Sequence, residues 1–124
     1  MAIESLEGWH ADHIVDAGTK GSLQVAGISL DELVERENVQ RIDFLKINIE
    51  GAEAMAMRGM DRTLRITRAL CISCHDFRAD AGEGEFFRTR RLIQDCVEHA
   101  GFRMVSRASD LRPDIACQVD AVRD

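Results

Sequence analysis

The sequence predicts an α/β fold whose sheet is mostly parallel and ends in an antiparallel edge strand pair. Three observations carry that expectation. The apolar segments succeed one another as strand, helix, strand, helix, strand, strand, an order that makes neighbouring strands parallel until the final pair. The stretch "IDFLKINIE" places Ile42, Phe44, Leu45, Ile47 and Ile49 on both faces of one strand, as an internal strand of a covered sheet requires. The segment from Glu85 to Ala100 repeats Phe86, Ile93, Cys96, Val97 and Ala100 at helical spacing.

Taken in order, residues 1–22 form an irregular N-terminal segment of loop or short strand pieces, broken by Gly8, Gly18 and Gly21. Leu23 to Gly27 reads as a strand. Ser29 and Glu32 then form a capping box, which starts a short helix with Leu30, Leu33 and Val34 on one face. After the Ile42 to Glu50 strand, Gly51 opens a helix lined by Ala52, Met55 and Ala56 and closed by Gly59. Ala69 to Cys74 is a second buried strand, and the long helix ends at Gly101. "FRMVSR" and "IACQVDAV" flank a loop at Pro113 and are close enough in sequence to pair antiparallel.

The 124 residues suit one compact domain, and a composition of 45% hydrophobic and 31% charged residues is enough for a core. With a net charge of −6 and scattered basic residues, nucleic acid is not an expected partner. The basic piece Arg88 to Arg91 reads as a solvated helix face. No apolar run approaches the roughly 20 residues of a membrane helix, and the chain begins without a leader pattern. A soluble, cytoplasmic protein without a membrane partner is expected, its four cysteines reduced.

In open α/β sheets, ligands gather beyond the carboxyl ends of the strands. Asn48, Glu50, Cys74, His75 and Asp76 all fall at such ends. Three other motifs invite chemistry. "VDAGTKG" contains the D-x-G-x-x-G of a nucleotide loop but lacks a convincing preceding strand and a following helix. "CISCH" matches a haem-attachment pattern, yet residues three apart on a strand point to opposite faces, so Cys71 and Cys74 could not share a metal. Glu50 and Glu53 are spaced as a carboxylate pair, although an acidic residue in a first helical turn also complements the helix dipole.

The segment "ISLDELVERENVQRIDFLKINIEGAEAMAMRGM", Ile28 to Met60, resembles the region of FkbM-family methyltransferases in which an "LDEL" helix precedes a strand of the type L-K-I-D-V-E-G-A-E. The resemblance implies that residues 23–124 form the C-terminal portion of a Rossmann-like methyltransferase domain, a partial fold using S-adenosylmethionine to methylate a hydroxyl of a small metabolite or sugar. It places Asn48, Glu50 and Gly51 at the cofactor, makes His75 and Glu50 the catalytic residues and puts Glu53 and Asp76 at the substrate. His75 is the natural base, since its ordinary pKa is near ~6.5. No metal is implied.

This chain departs from the family pattern at Asn48, where Asp is usual, and at Cys74, where an acidic residue is common. The family's first three strands, with the glycine loop and the ribose-binding acid, have no counterpart. Their absence would leave the 42–49 strand as an edge that invites pairing. A homodimer or larger assembly through it is therefore expected, unless the N-terminal segment with Trp9 covers it. A noncatalytic interaction module, self-associating or completing a partner, is the alternative function. A small redox or haem protein built on "CISCH" is a third.

Overall fold

The computed structural model describes residues 2–4, 13–15, 20 and 22–124. Three short strands, β1 (Ala2–Glu4), β2 (His13–Val15) and β3 (Leu23–Gln24), form an antiparallel sheet in the order β2-β1-β3. A strand thus directly precedes the "VDAGTKG" motif, contrary to expectation. Most of that motif, and Trp9, lie outside the described residues.

The capping box forms as expected. Ser29 Oγ accepts from the Glu32 amide at 3.1 Å, and Glu32 Oε2 accepts from the Ser29 amide at 2.9 Å, which starts α1 (Leu30–Arg36). β4 (Ile42–Ile47) follows, then the short helix α2 (Glu53–Ala56), a 3₁₀ turn (Met57–Gly59) and α3 (Asp61–Ile66). β5 (Thr67–Ser73) leads into α4 (Asp76–Asp80), a second 3₁₀ turn (Glu85–Phe87) and α5 (Arg90–His99). The chain closes with β6 (Arg103–Val105), α6 (Pro113–Ala116) and β7 (Gln118–Val122).

The main sheet has four strands in the order β4-β5-β7-β6. β4 and β5 are parallel, whereas β5–β7 and β7–β6 are antiparallel. The antiparallel pair at one edge is as read from the sequence. The parallel portion is narrower than "mostly", because among the described residues only one strand pair has a crossover connection.

One face of this sheet is the core face. Leu45 and Ile47 of β4, Leu70 and Ile72 of β5, and Val119 and Ala121 of β7 pack with Met57, Met60 and Leu64 and with Ile93 and Val97 of α5. Full burial of Ile93 and Val97 is worth about 1.5–3 kcal/mol each. The opposite face carries Phe44, Lys46, Cys71, Ser73, Gln118 and Asp120, and Phe44 is 61% exposed. The cover expected on both faces of β4 is therefore corrected, since only one face is buried; its place at the sheet edge among the described residues is the one that the absence of the family's first strands implies.

Helix boundaries also moved. Phe86 belongs to the 3₁₀ turn and is exposed, so the long helix starts at Arg90 rather than Glu85. Its end is as expected. Gly101 (φ 89°) donates to Glu98 O and Phe102 to Val97 O, at 2.9 and 3.2 Å, the paired bonds that a left-handed glycine allows after a helix. Pro113 opens α6 at its first turn, where a missing N–H costs nothing, so the second half of "IACQVDAV" alone is strand.

Two helices are capped by residues distant in sequence. α3 begins without a capping side chain of its own, and Asp31 of α1 supplies one, accepting from the Thr63 amide (2.7 Å), the Thr63 hydroxyl (2.7 Å) and the Arg62 amide (3.1 Å). We expect Asp31→Ala to lower stability by about 1–2 kcal/mol in urea titrations. Asp43→Ala, whose carboxylate is exposed and pairs with Arg41, should change it by less than about 0.5 kcal/mol. Equal effects would show that the cap contributes nothing.

Candidate active site

The carboxyl ends of β4 and β5 point the same way, and the antiparallel β7 begins beside them. At that end lies a cavity of about 370 Å³ lined by Lys46, Asn48, Glu50, Ser73, Cys74, His75, Phe77, Asp114 and Gln118. β4 enters it through a tight turn. Glu50 (φ 53°) and Gly51 (φ 96°) are both left-handed, a conformation costing a non-glycine residue roughly 1–2 kcal/mol. The second position tolerates only glycine, since a Cβ there would stand 2.5 Å from Phe86 Cε1.

Glu53, on the first turn of α2, holds this turn in place. Its carboxylate is 1% exposed and accepts from the Ile49 amide at 3.3 Å, the Gly51 amide at 3.0 Å and the Thr89 hydroxyl at 3.4 Å. The fourth neighbour is His75, whose Nδ1 lies 3.2 Å from Glu53 Oε1. On the other side of the ring, Nε2 lies 3.1 Å from Glu50 Oε1. These are ion-pair contacts; the buried Nδ1 is close to Glu53 without the direction of a good hydrogen bond. Glu50 Oε2 in turn accepts from Arg78 at 2.8 Å; Arg78 also bonds Glu83 at 2.7 Å and stacks on Phe87.

Burial alone would pull the His75 pKa down, but the adjoining Glu53 and Glu50 carboxylates outweigh it and hold the pKa above its ordinary 6.5. Burial would push Glu53 up, and contact with His75 and the backbone amides reverses that, holding it below 4.5. The protonated ring is thus favoured by the two carboxylates that flank it, and Arg78 pairs with the outer one, Glu50.

The structure brings Asn48, Glu50 and His75 together on one cavity, as the strand-end reading requires. Cys74 reaches the same cavity from the core side, and the others do not lie there. Gly51 spends its N–H on Glu53 and lies under Phe86, on the far side of the turn. Glu53 is sealed from solvent, so it can orient His75 but cannot touch a substrate. Asp76 accepts from the Thr89 and Arg90 amides at 3.2 and 3.0 Å and caps α5. Cys74 lies in the core with its thiol pushed up to about 12 by burial, while Cys71 lies on the opposite face near Lys46. Missed in the sequence were Lys46, Ser73 and Gln118, which the strand register alone assembles.

The model of the FkbM methyltransferase domain matches residues 3–104, most of the chain. The chain belongs to the FkbM methyltransferase family. Comparison with curated proteins and with solved structures returned no match. The match extends on both sides of the Ile28 to Met60 segment that carries the resemblance, and it includes Asn48, Glu50 and His75 of the FkbM domain. No helix among the described residues is long and apolar enough to cross a membrane.

Membership implies S-adenosylmethionine as methyl donor. The chemistry of the cavity fits its methionyl end: Glu50 and Asp114 offer carboxylates to a sulfonium or ammonium cation, and exposed Asn48 offers an amide to its carboxylate. Gly51 does not fit a donor contact, because its N–H is taken and its Cα is covered.

Proposed function

We propose that this FkbM domain transfers a methyl group from S-adenosylmethionine to a hydroxyl of a small metabolite or sugar. The observation that supports it is the Glu53–His75–Glu50 arrangement opening on a polar cavity at the strand ends. Bound there, the donor supplies an electrophilic methyl group; Asn48 and Glu50 would hold its methionyl end. His75 is the general base. The charge of buried Glu53, 3.2 Å from Nδ1, favours a proton on that side of the ring, so Nε2, on the Glu50 side, takes the proton released by the acceptor hydroxyl. Glu50 positions the acceptor, and Arg78 restrains the Glu50 carboxylate.

A second reading has its own observation. The outer edge of β4 has no strand partner among the described residues, and Phe44 beside it is exposed. A homodimer or partner assembly through this edge, with no catalysis, would use that surface. Calorimetric titration with S-adenosylmethionine and its demethylated product separates the two. Micromolar binding, followed by turnover in a screen of hydroxylated acceptors, is expected; no heat at high protein concentration would leave only the interaction module.

A further inference from the structure

The cavity contains a cation that the mechanism leaves unused. Lys46 is the last-but-one residue of β4, and the parallel register sets it opposite Cys71, two residues before Ser73 on the same face. Its ammonium donates to Ser73 Oγ and sits 3.5 Å from Cys71 Sγ. Among the described residues it pairs with no carboxylate: the acid of the same sheet face, Asp120, is taken by Arg107 at 2.7 Å. Ser73 is nearly buried and steers the lysine head toward the cavity wall that Gln118 and Asn48 complete.

The geometry points to Lys46 as the anchor for an anionic group on the acceptor, whose substrate class is therefore a small hydroxy acid, with the hydroxyl delivered to His75. This rests on the reading that the cavity receives the methyl acceptor. The charge balance of the cavity favours a monoanion. Glu50 is already held by Arg78 and His75, which leaves Lys46 and Asp114 as the lining charges without such a partner among the described residues. A carboxylate would meet one unpaired positive charge, whereas a dianionic phosphate would be repelled by the two acids. Polar groups line most of the cavity, which suits a hydroxyl-rich body rather than an apolar one.

The test uses the full chain, labelled for amide NMR, with D-glucuronate, D-glucose and glucose 6-phosphate as probes and no donor present. Glucuronate is expected to bind saturably, at least tenfold tighter than glucose and tighter than the phosphate ester, with shifts at Lys46, Ser73 to His75 and Gln118. Lys46→Gln should lower glucuronate affinity tenfold or more and leave glucose unchanged. Because Lys46 is exposed, that variant should keep its thermal midpoint, and a spectrum otherwise like that of the parent chain checks folding. Equal affinity for the acid and neutral sugars, tighter binding of the phosphate ester, retained affinity in Lys46→Gln, or no saturable shift with glucuronate would each overturn the assignment. Donor titration is independent of these arms: its failure would remove the methyl-transfer reading, while the glucuronate result speaks to Lys46 alone.

Discussion

Replacing Glu53 with alanine is expected to reduce unfolding free energy by about 3–5 kcal/mol, the range for breaking a buried ion pair by removing one partner. The change strips the Ile49 and Gly51 amides and the Thr89 hydroxyl of their acceptor and leaves His75 beside an empty space in a site that had been charge-balanced. It also frees a turn in which Glu50 is left-handed, and among the described residues no other side chain accepts from both the Ile49 and Gly51 amides. Against a typical stability of about 5–15 kcal/mol, such a loss would bring the domain close to unfolding at room temperature. Glu53→Gln keeps an acceptor oxygen for the amides but not the charge, so a smaller loss of about 1–3 kcal/mol is expected. Urea titrations of both variants give the comparison, and an alanine cost below about 1 kcal/mol would mean that the turn is held by other contacts.

Much of the local structure was legible because its causes are local. Ser29 and Glu32 cap a helix three residues apart, and Gly101 ends one with its own backbone. The strand-end rule was equally productive: Glu50 and His75, 25 positions apart by subtraction of their sequence numbers, meet because each follows a strand of the same parallel pair. What stayed hidden depends on register or on distant partners. Glu53 looked like an ordinary dipole-complementing residue, and nothing in "EGAEAM" shows that its carboxylate turns back to the preceding turn. Asp31 looks like a generic helix acid until α3 is seen docking its first turn onto it, and Asp76, read as a substrate residue at a strand end, instead receives the first turn of α5. Lys46 and Ser73 are neighbours only once β4 and β5 are paired in this register. The apolar residues of "IDFLKINIE" gave the strand correctly but not its exposed face, since Phe44 reads the same whether or not another layer lies over it. In the long helical segment, Phe86 matched the period by chance, and the loop after α4 broke the helix before Thr89.

Activity and stability are expected to respond to pH in opposite directions, because both depend on one proton at His75. The His75 pKa is raised by the fold, so its ion pairs contribute their full stability below 6.5 and lose it as pH rises through the higher folded value. The Glu53 pKa is lowered, so its contribution is present above 4.5 and is lost as pH falls through the lower folded value. The thermal midpoint should therefore be highest between 4.5 and 6.5 and decline on either side. A general base works only when neutral, so the methyl-transfer rate should instead climb above pH 6.5, through the range in which the midpoint declines. His75→Ala should lower the rate by about 10²–10⁴-fold and flatten that limb. Glu53→Gln makes the sharper test: with one of the two flanking charges removed, the His75 pKa drops, and the rising limb should move to lower pH even though the fold is weaker. A merely structural histidine would lose rate with stability in Glu53→Gln and leave the limb where it was. The measurement is the pH dependence of the rate beside the pH dependence of the midpoint, in both proteins. An unmoved limb would assign the base to another group on the cavity, with Glu50 the nearest carboxylate.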